Sequence, residues 1–291
     1  MELVPWGADR VDDIVDLMLR VAAEEDLTPE EVHTACHEHS GIVMATEDGE
    51  SVVAVGIDRN DDGELVAAIR LIAVGPNVQR QGRGRMLLEH AERWAAERGA
   101  HELSVGGSLP FALWPGAPVE SPVAELCVTQ GYEVHEFWES FHLDSSYRSP
   151  TPDGVVIRRA IHDEDVTRVL LAATSGWPRS ADEIARALEH GTCHVALRGD
   201  VDPVVVGIGC HSITRAGWSG PLVVDESYRR RGIGKALLGQ MCRDLMIAEF
   251  DRIVVADLPD DRARAFITST GAIAAARYQR MTKRLSLSTI D

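Results

Sequence analysis

Apolar residues recur along this chain in two rhythms, and the same succession of rhythms runs twice. The first half opens with a short apolar run, "ELVPW". Helical spacing follows from Asp9 to about Asp26, with Val11, Ile14, Val15, Met18 and Leu19 on one face. "TPEEVHTACHEH" starts on Thr-Pro, which predicts a second helix. The spacing then changes to the period-2 and continuous apolar runs of strands in "GIVMATEDG", "ESVVAVGIDRNDDG" and "ELVAAIRLIAV", separated by Asp/Gly turns. After a Gly/Arg-rich loop, Leu87, Leu88, Ala91, Trp94 and Ala95 form a helical stripe that Gly99 should stop. "HELSVGG" and Tyr132–Leu143 read as further strands.

The second half repeats this order. "GVVIRRAI" predicts a strand, and His162–Ser175 predicts a helix with an acidic first turn. Ser180–His190 predicts another, with Ser180 in the capping position. "CHVALRG", "DPVVVGIGCHSI" and "GWSGPLVV" predict strands. A second Gly/Arg-rich loop precedes a helix carrying Leu237, Leu238, Met241 and Leu245. "DRIVVAD" is a strand, Asp261–Ser269 a helix and Ile273–Leu285 a last strand.

The two Gly/Arg loops share a fixed offset. Val74 and Val224, Gln79 and Arg229, Gly82 and Gly232, and Gly84 and Gly234 each stand 150 residues apart. An offset that long implies two copies of a whole domain rather than a solenoid unit. The Ser/Pro/Gly-rich stretch 144–154 is the expected linker, which divides the chain into domains 1–145 and 155–291.

Composition narrows the class. The chain of 291 residues is 45% hydrophobic and 26% charged, ordinary for a globular protein. No apolar run approaches the ~20 residues of a membrane span, and the N-terminus lacks the features of a signal peptide. Five scattered cysteines without a CxxC pair point to a reducing, cytoplasmic compartment. The net charge is −17, of which residues 1–145 contribute −19 (28 acidic, 9 basic) and residues 146–291 contribute +2 (18 acidic, 20 basic). The acidic half argues against nucleic acid and anionic membranes as partners.

In each loop a strand gives way to glycines and then to a helix. Glycine permits positive φ and close backbone approach, so successive N–H groups converge at the positive end of the helix. That suits a diphosphate. The loops fit neither GxGxxG nor GxxxxGK[ST]. "VGPNVQRQGRG", Val74–Gly84, instead resembles the GNAT acyltransferase signature V-x-P-x-x-[QR]-x-x-G-x-[GA] in full. "VDESYRRRGIG", Val224–Gly234, matches it except that Glu226 replaces proline. The resemblance extends over nearly the whole chain. It implies an α/β (α+β sandwich) fold of two GNAT-type domains, each a mixed, splayed central sheet flanked by helices, in a layout similar to that of mycothiol synthases.

The resemblance further implies acetyl-CoA or another acyl-CoA as co-substrate. Its diphosphate would be held by Gln79, Arg80, Gln81, Gly82, Arg83 and Gly84 after Val74, or by Arg229, Arg230, Arg231, Gly232, Ile233, Gly234 and Lys235 after Val224. The sequence departs from the family in two places. The tyrosine that protonates the leaving thiolate in many members is Cys127 in one half and Ile267 in the other. The central strands Leu65–Val74 and Trp218–Val224 carry no acid. His211 and Asp257, at predicted strand ends, become the catalytic candidates; Glu139, His135 and Glu64 are weaker ones. A loop rich in Pro and aromatics, Ser108–Pro122, offers Phe111 and Trp114 either to wall an acceptor pocket or to pack elsewhere. His33, His37, Cys36 and His39 have a spacing open to zinc, yet a polar helix face is the expected reading and no metal is expected.

The reading is thus a tandem acyltransferase moving an acyl group from CoA to a small-molecule amine, with the second domain catalytic. An acyl carrier protein as donor, and a non-catalytic CoA-binding scaffold, are the alternatives.

Overall fold

The computed structural model describes residues 2–60, 62–106, 113–256 and 261–286. The chain divides into two compact units: Met1–Trp138 with Arg277–Asp291, and Glu139–Ala276. In chain order, unit 1 contains β1 (Leu3–Pro5), α1 (Val11–Val21), α2 (Pro29–His37), β2 (Gly41–Thr46), β3 (Ser51–Arg59) and β4 (Leu65–Val74). It continues with α3 (Arg83–Glu97), β5 (Glu102–Val105), β6 (Ala117–Pro118) and α4 (Pro122–Thr129). β7 (Glu133–Asp144) begins in unit 1 and ends in unit 2. Unit 2 adds β8 (Val155–Arg159), α5 (Asp163–Gly176), α6 (Ala181–Glu189), β9 (Cys193–Arg198), β10 (Val204–His211) and β11 (Ser219–Val224). α7 (Ile233–Ile247), β12 (Arg252–Val255) and α8 (Asp261–Thr268) complete it. β13 (Ile273–Arg284) returns to unit 1 from Arg277 onward.

The sheet of unit 1 runs β1-β2-β3-β4-β5-β13, with β4 and β5 its one parallel pair. Alternation along the strands sends Val53 and Val55 into the core under α3, and Val52 and Ala54 into the core under α1 and α2. On β4 the parity changes. Ala67 and Ile69 join the α3 side, whereas Leu71 and Ala73 join the other. The cause is a bulge: Ala54 pairs with Leu71 and Val55 with Ile69, which leaves Arg70 unpaired. Gly56 makes room for the Arg70 guanidinium, whose Nη1 donates to the Ala35 carbonyl in the last turn of α2. A cation there complements the end of that helix.

The Thr-Pro start of α2 forms a full capping box, Thr28 with Glu31. Ser180 makes no cap bond; Pro178–Ser180 is a 3-10 turn that leads into α6, so the hydroxyl is not in the capping geometry. In α1 the buried set is Val11, Ile14, Leu17 and Met18, and Leu19 is 47% exposed, because the helix turns a further residue before it meets the sheet.

Unit 2 has the antiparallel order β8-β9-β10-β11. β12 meets β11 through one parallel bridge, Trp218 with Val254, and pairs antiparallel with Phe141–Asp144 of β7. In sequence β7 and β13 are equivalent, each of 12 residues. In the structure each half has given up its last strand. β13 lies along β5, with Met281 fully buried in the unit 1 core, Lys283 Nζ 2.8 Å from both Glu92 carboxylate oxygens, and Thr282 Oγ1 2.7 Å from His135 Nε2. Division of the chain by sequence at 144–154 and division by contact therefore fall in different places.

A fragment 1–145 must fill the β13 position with its own β7 and loses the Glu92–Lys283 pair. It should unfold at lower denaturant than a fragment in which residue 138 is linked to residues 277–286. Urea titration followed by circular dichroism of both fragments tests this.

Candidate active site

Both Gly/Arg loops have the same backbone. Arg80 and Arg230 sit at φ 59° and 62°, and Gly82 and Gly232 at φ 82° and 86°. The helix starts at the next residue in each case, without a side-chain cap. Met86 N–H bonds the Gly82 carbonyl and Ala236 N–H bonds the Gly232 carbonyl. The preceding first-turn N–H groups of both helices therefore point outward with no partner inside the helix. Both glycines border open space: a side chain at Gly82 would meet nothing within 4 Å, and one at Gly232 would meet only the edge of Pro152. Gln79 Nε2 and Arg229 Nε do the same structural job, donating to the carbonyl that ends the central strand, Val74 at 3.0 Å and Val224 at 3.1 Å.

The surrounding charge differs. In unit 1, Arg80 pairs with Glu125 and the buried Arg83 with Asp48 at 2.7 Å. In unit 2, Arg229 pairs with Glu226, Arg231 bonds the Ser227 carbonyl and Lys235 bonds the Ser269 carbonyl. Arg230 is exposed. Ile233, the counterpart of Arg83, is core. Counting these groups with exposed Arg85 and with Asp225, which faces Arg229, unit 1 has three cations against two carboxylates, and unit 2 has four against two.

Each loop sits at the open end of a parting sheet. β4 and β5 pair from Val66/Glu102 to Ile69/Val105, and β4 then continues to Val74 paired with β3 alone. β11 and β12 separate immediately beyond Trp218/Val254. The two openings are lined differently. In unit 1, sixteen residues (106–121) separate β5 from α4, whereas five (256–260) separate β12 from α8. β6 lies against Tyr278 and Gln279 of β13, the lane that β5 vacates. Leu113 is fully buried in the cluster containing Leu71 and Ala73, and Trp114 Nε1 bonds Glu25 at 2.9 Å. Trp114 therefore packs within unit 1. Phe111 lies outside the described residues, as does Asp257.

His211 is 4% exposed on the α7 side of β10. Its Nδ1 is 3.1 Å from Ser212 Oγ and its Nε2 3.5 Å from Asp244. It pairs with Ser219, at the opposite end of β11 from Val224. The weaker candidates are also occupied: Glu139 by Arg264, His135 by Thr282 and Glu64 by His101. Cys127 is fully buried, and that burial pushes its thiol up to about 12, so it is core and no proton donor. His33 and His37 stack 6.0 Å apart, while the neighbouring Cys36 is buried in the core. Sequence reasoning passed over His194 and Asp244, which converge on His211 from β9 and α7. Polar residues inside apolar stripes were the available signal.

Comparison with known proteins agrees with this geometry. The sequence model of the Acetyltransferase (GNAT) family matches residues 10–109 and again 161–272. The chain belongs to that family. It is an acyltransferase of tandem GNAT architecture. No match is found among curated proteins. Among solved structures, it is similar to the tandem GNAT protein from the clavulanic acid biosynthesis pathway (TM-score 0.72, 19% identity, 97% of this chain and 98% of that one). It is also similar to a GCN5-related N-acetyltransferase from Sphaerobacter thermophilus (0.67, 17%, 97% and 95%). The glucosamine N-acetyltransferase region of a fungal multi-domain GH3 β-N-acetylglucosaminidase gives 0.77 at 15% identity; this GNAT chain is covered to 97% but spans only 38% of that structure.

Burial pushes the His211 imidazole below its ordinary value of 6.5; Asp244 opposes that, while His194 and Arg159 add to it. A pKa depressed on folding stabilises the fold above the unfolded value and loses that contribution as pH falls. Thermal stability of unit 2 should drop from about pH 6.5 downward. A His211→Asn variant should show a shallower drop in pH-dependent calorimetry.

Proposed function

We propose that the protein is an acyl-CoA-dependent N-acyltransferase acting on a small-molecule amine, with donor binding and transfer in unit 2. The observation that carries the choice of unit is the contrast between the openings. The unit 2 loop has the larger excess of positive charge for a polyanionic donor. The unit 1 opening is bordered by its own chain at Leu113–Pro118.

In this reading the N–H groups after Gly232 hold the diphosphate, and Arg230 and Lys235 add charge from the rim. The free edge of β11 bonds the amides of the pantetheine arm as a neighbouring strand would. That places the thioester where β11 and β12 part, and the protein contributes orientation and exclusion of water. Deprotonation of the amine is assigned to Asp257, which follows β12 by two residues. His211, enclosed by Ser212 and Asp244, takes no part in the transfer in this reading. An acyl carrier protein would present the same pantetheine arm and remains the alternative donor.

Calorimetric titration of acetyl-CoA into the wild type, Gly82→Trp and Gly232→Trp separates the units. Binding should survive Gly82→Trp and fall at least tenfold in Gly232→Trp. The reverse result would move the donor site to unit 1.

A further inference from the structure

We propose that His194, His211 and Asp244 form a binding site in unit 2 for one divalent cation of the zinc type. Among the described residues, they are the one set of three or more His, Cys, Asp or Glu whose ligand atoms all lie within 4.8 Å of one another. His194 Nε2 is 3.1 Å and His211 Nε2 3.5 Å from Asp244 Oδ2. Two ligands on a tetrahedral zinc ion, each ~2.05 Å from it, stand about 3.3 Å apart. The two separations from Asp244 bracket that value.

The donor set and its support also fit. Both imidazoles are more than nine-tenths buried and come from neighbouring strands, so their rings have little freedom to turn away. His211 Nδ1 is 3.1 Å from Ser212 Oγ, a hydroxyl able to accept from Nδ1–H when Nε2 presents its lone pair to a metal. Ser212 is itself held, at φ 52°, by the Gly217 N–H donating to its Oγ. Two nitrogens and one carboxylate oxygen suit a borderline cation better than magnesium or calcium.

Arg159 is the competitor. Its Nε lies 2.6 Å from the same Asp244 oxygen, and its side chain is 46% exposed. The guanidinium thus supplies, from the solvent side, the positive charge that Asp244 requires. A metal ion would take over that role only as Arg159 swings out, and a water would then fill the fourth position. The site therefore binds metal in exchange for a salt bridge, and removal of the arginine should tighten it.

The test uses untagged full-length protein, stripped by chelator and titrated with Zn²⁺ against a chromophoric competitor, with bound metal counted by mass spectrometry. Wild type should take one equivalent. His194→Gln and His211→Gln, which keep size and polarity, should each weaken binding at least tenfold while circular dichroism stays unchanged. Arg159→Gln should strengthen it about tenfold. A His33→Ala/His37→Ala variant should bind like wild type. The proposal is overturned if wild type takes no zinc, if the His194 and His211 variants bind normally, if Arg159→Gln fails to tighten binding, or if only the His33/His37 variant loses it.

Discussion

A parallel strand pair that parts halfway is the constraint on which this structure depends. Beyond Ile69 in unit 1, and beyond Trp218 in unit 2, the central strand runs on without a neighbour on one side. Backbone N–H and C=O groups inside a protein need partners. A strand left open at a sheet centre is therefore stable only if something else steadies it. The bulge at Arg70 turns the outer half of β4 so that Leu71 and Ala73 join the α1–α2 core, while the loop after Val74 is tied back by Gln79. In unit 2, Arg229 provides the same tie. The residues that tie back the two loops thus also hold the openings in place. This explains why the loop backbone is the same in both units although the charges around it are not.

The second constraint is the exchange of last strands. β7 and β13 occupy equivalent places in the repeat, and each completes a unit whose other strands come from elsewhere in the chain. Duplicated halves can exchange an element at small cost, because the incoming strand satisfies the same ladder as the one it replaces. Once the exchange is made, side chains on the visiting strand adapt to their host. Met281 fills the unit 1 core and Lys283 reaches Glu92. Each unit can then diverge in its opening while keeping a complete set of strands.

Features set by local chemistry were readable from sequence alone. The glycines at the start of α3 and α7 and the Thr-Pro start of α2 follow from rules that act within a few residues, and the offset of 150 residues is read by laying one half over the other. The parting of the sheet came from the family resemblance. The strand exchange was not legible, because β7 and β13 have similar patterns and nothing local selects a partner. His194 was hidden for a different reason. It lies in "CHVALRG", where a lone imidazole in an apolar strand has no visible counterpart until α7 brings Asp244 across the sheet. His211 was visible as a strand-end histidine, but its burial was not.

The helices behind the two cradles show how divergence could follow from electrostatics. Each carries a charge of the wrong sign for its own dipole: Arg83 in the first turn of α3, and Asp244 in the last turns of α7. Each is buried enough to need a counter-charge. For Arg83 that is Asp48, so the pair is neutral overall, as Ile233 is in unit 2. For Asp244 it is Arg159 with two histidines, at the far end of the helix from the cradle. Unit 2 can thus correct its helix without weakening the field at Gly232. Unit 1 corrects its own in the first turn of α3, beside Gly82.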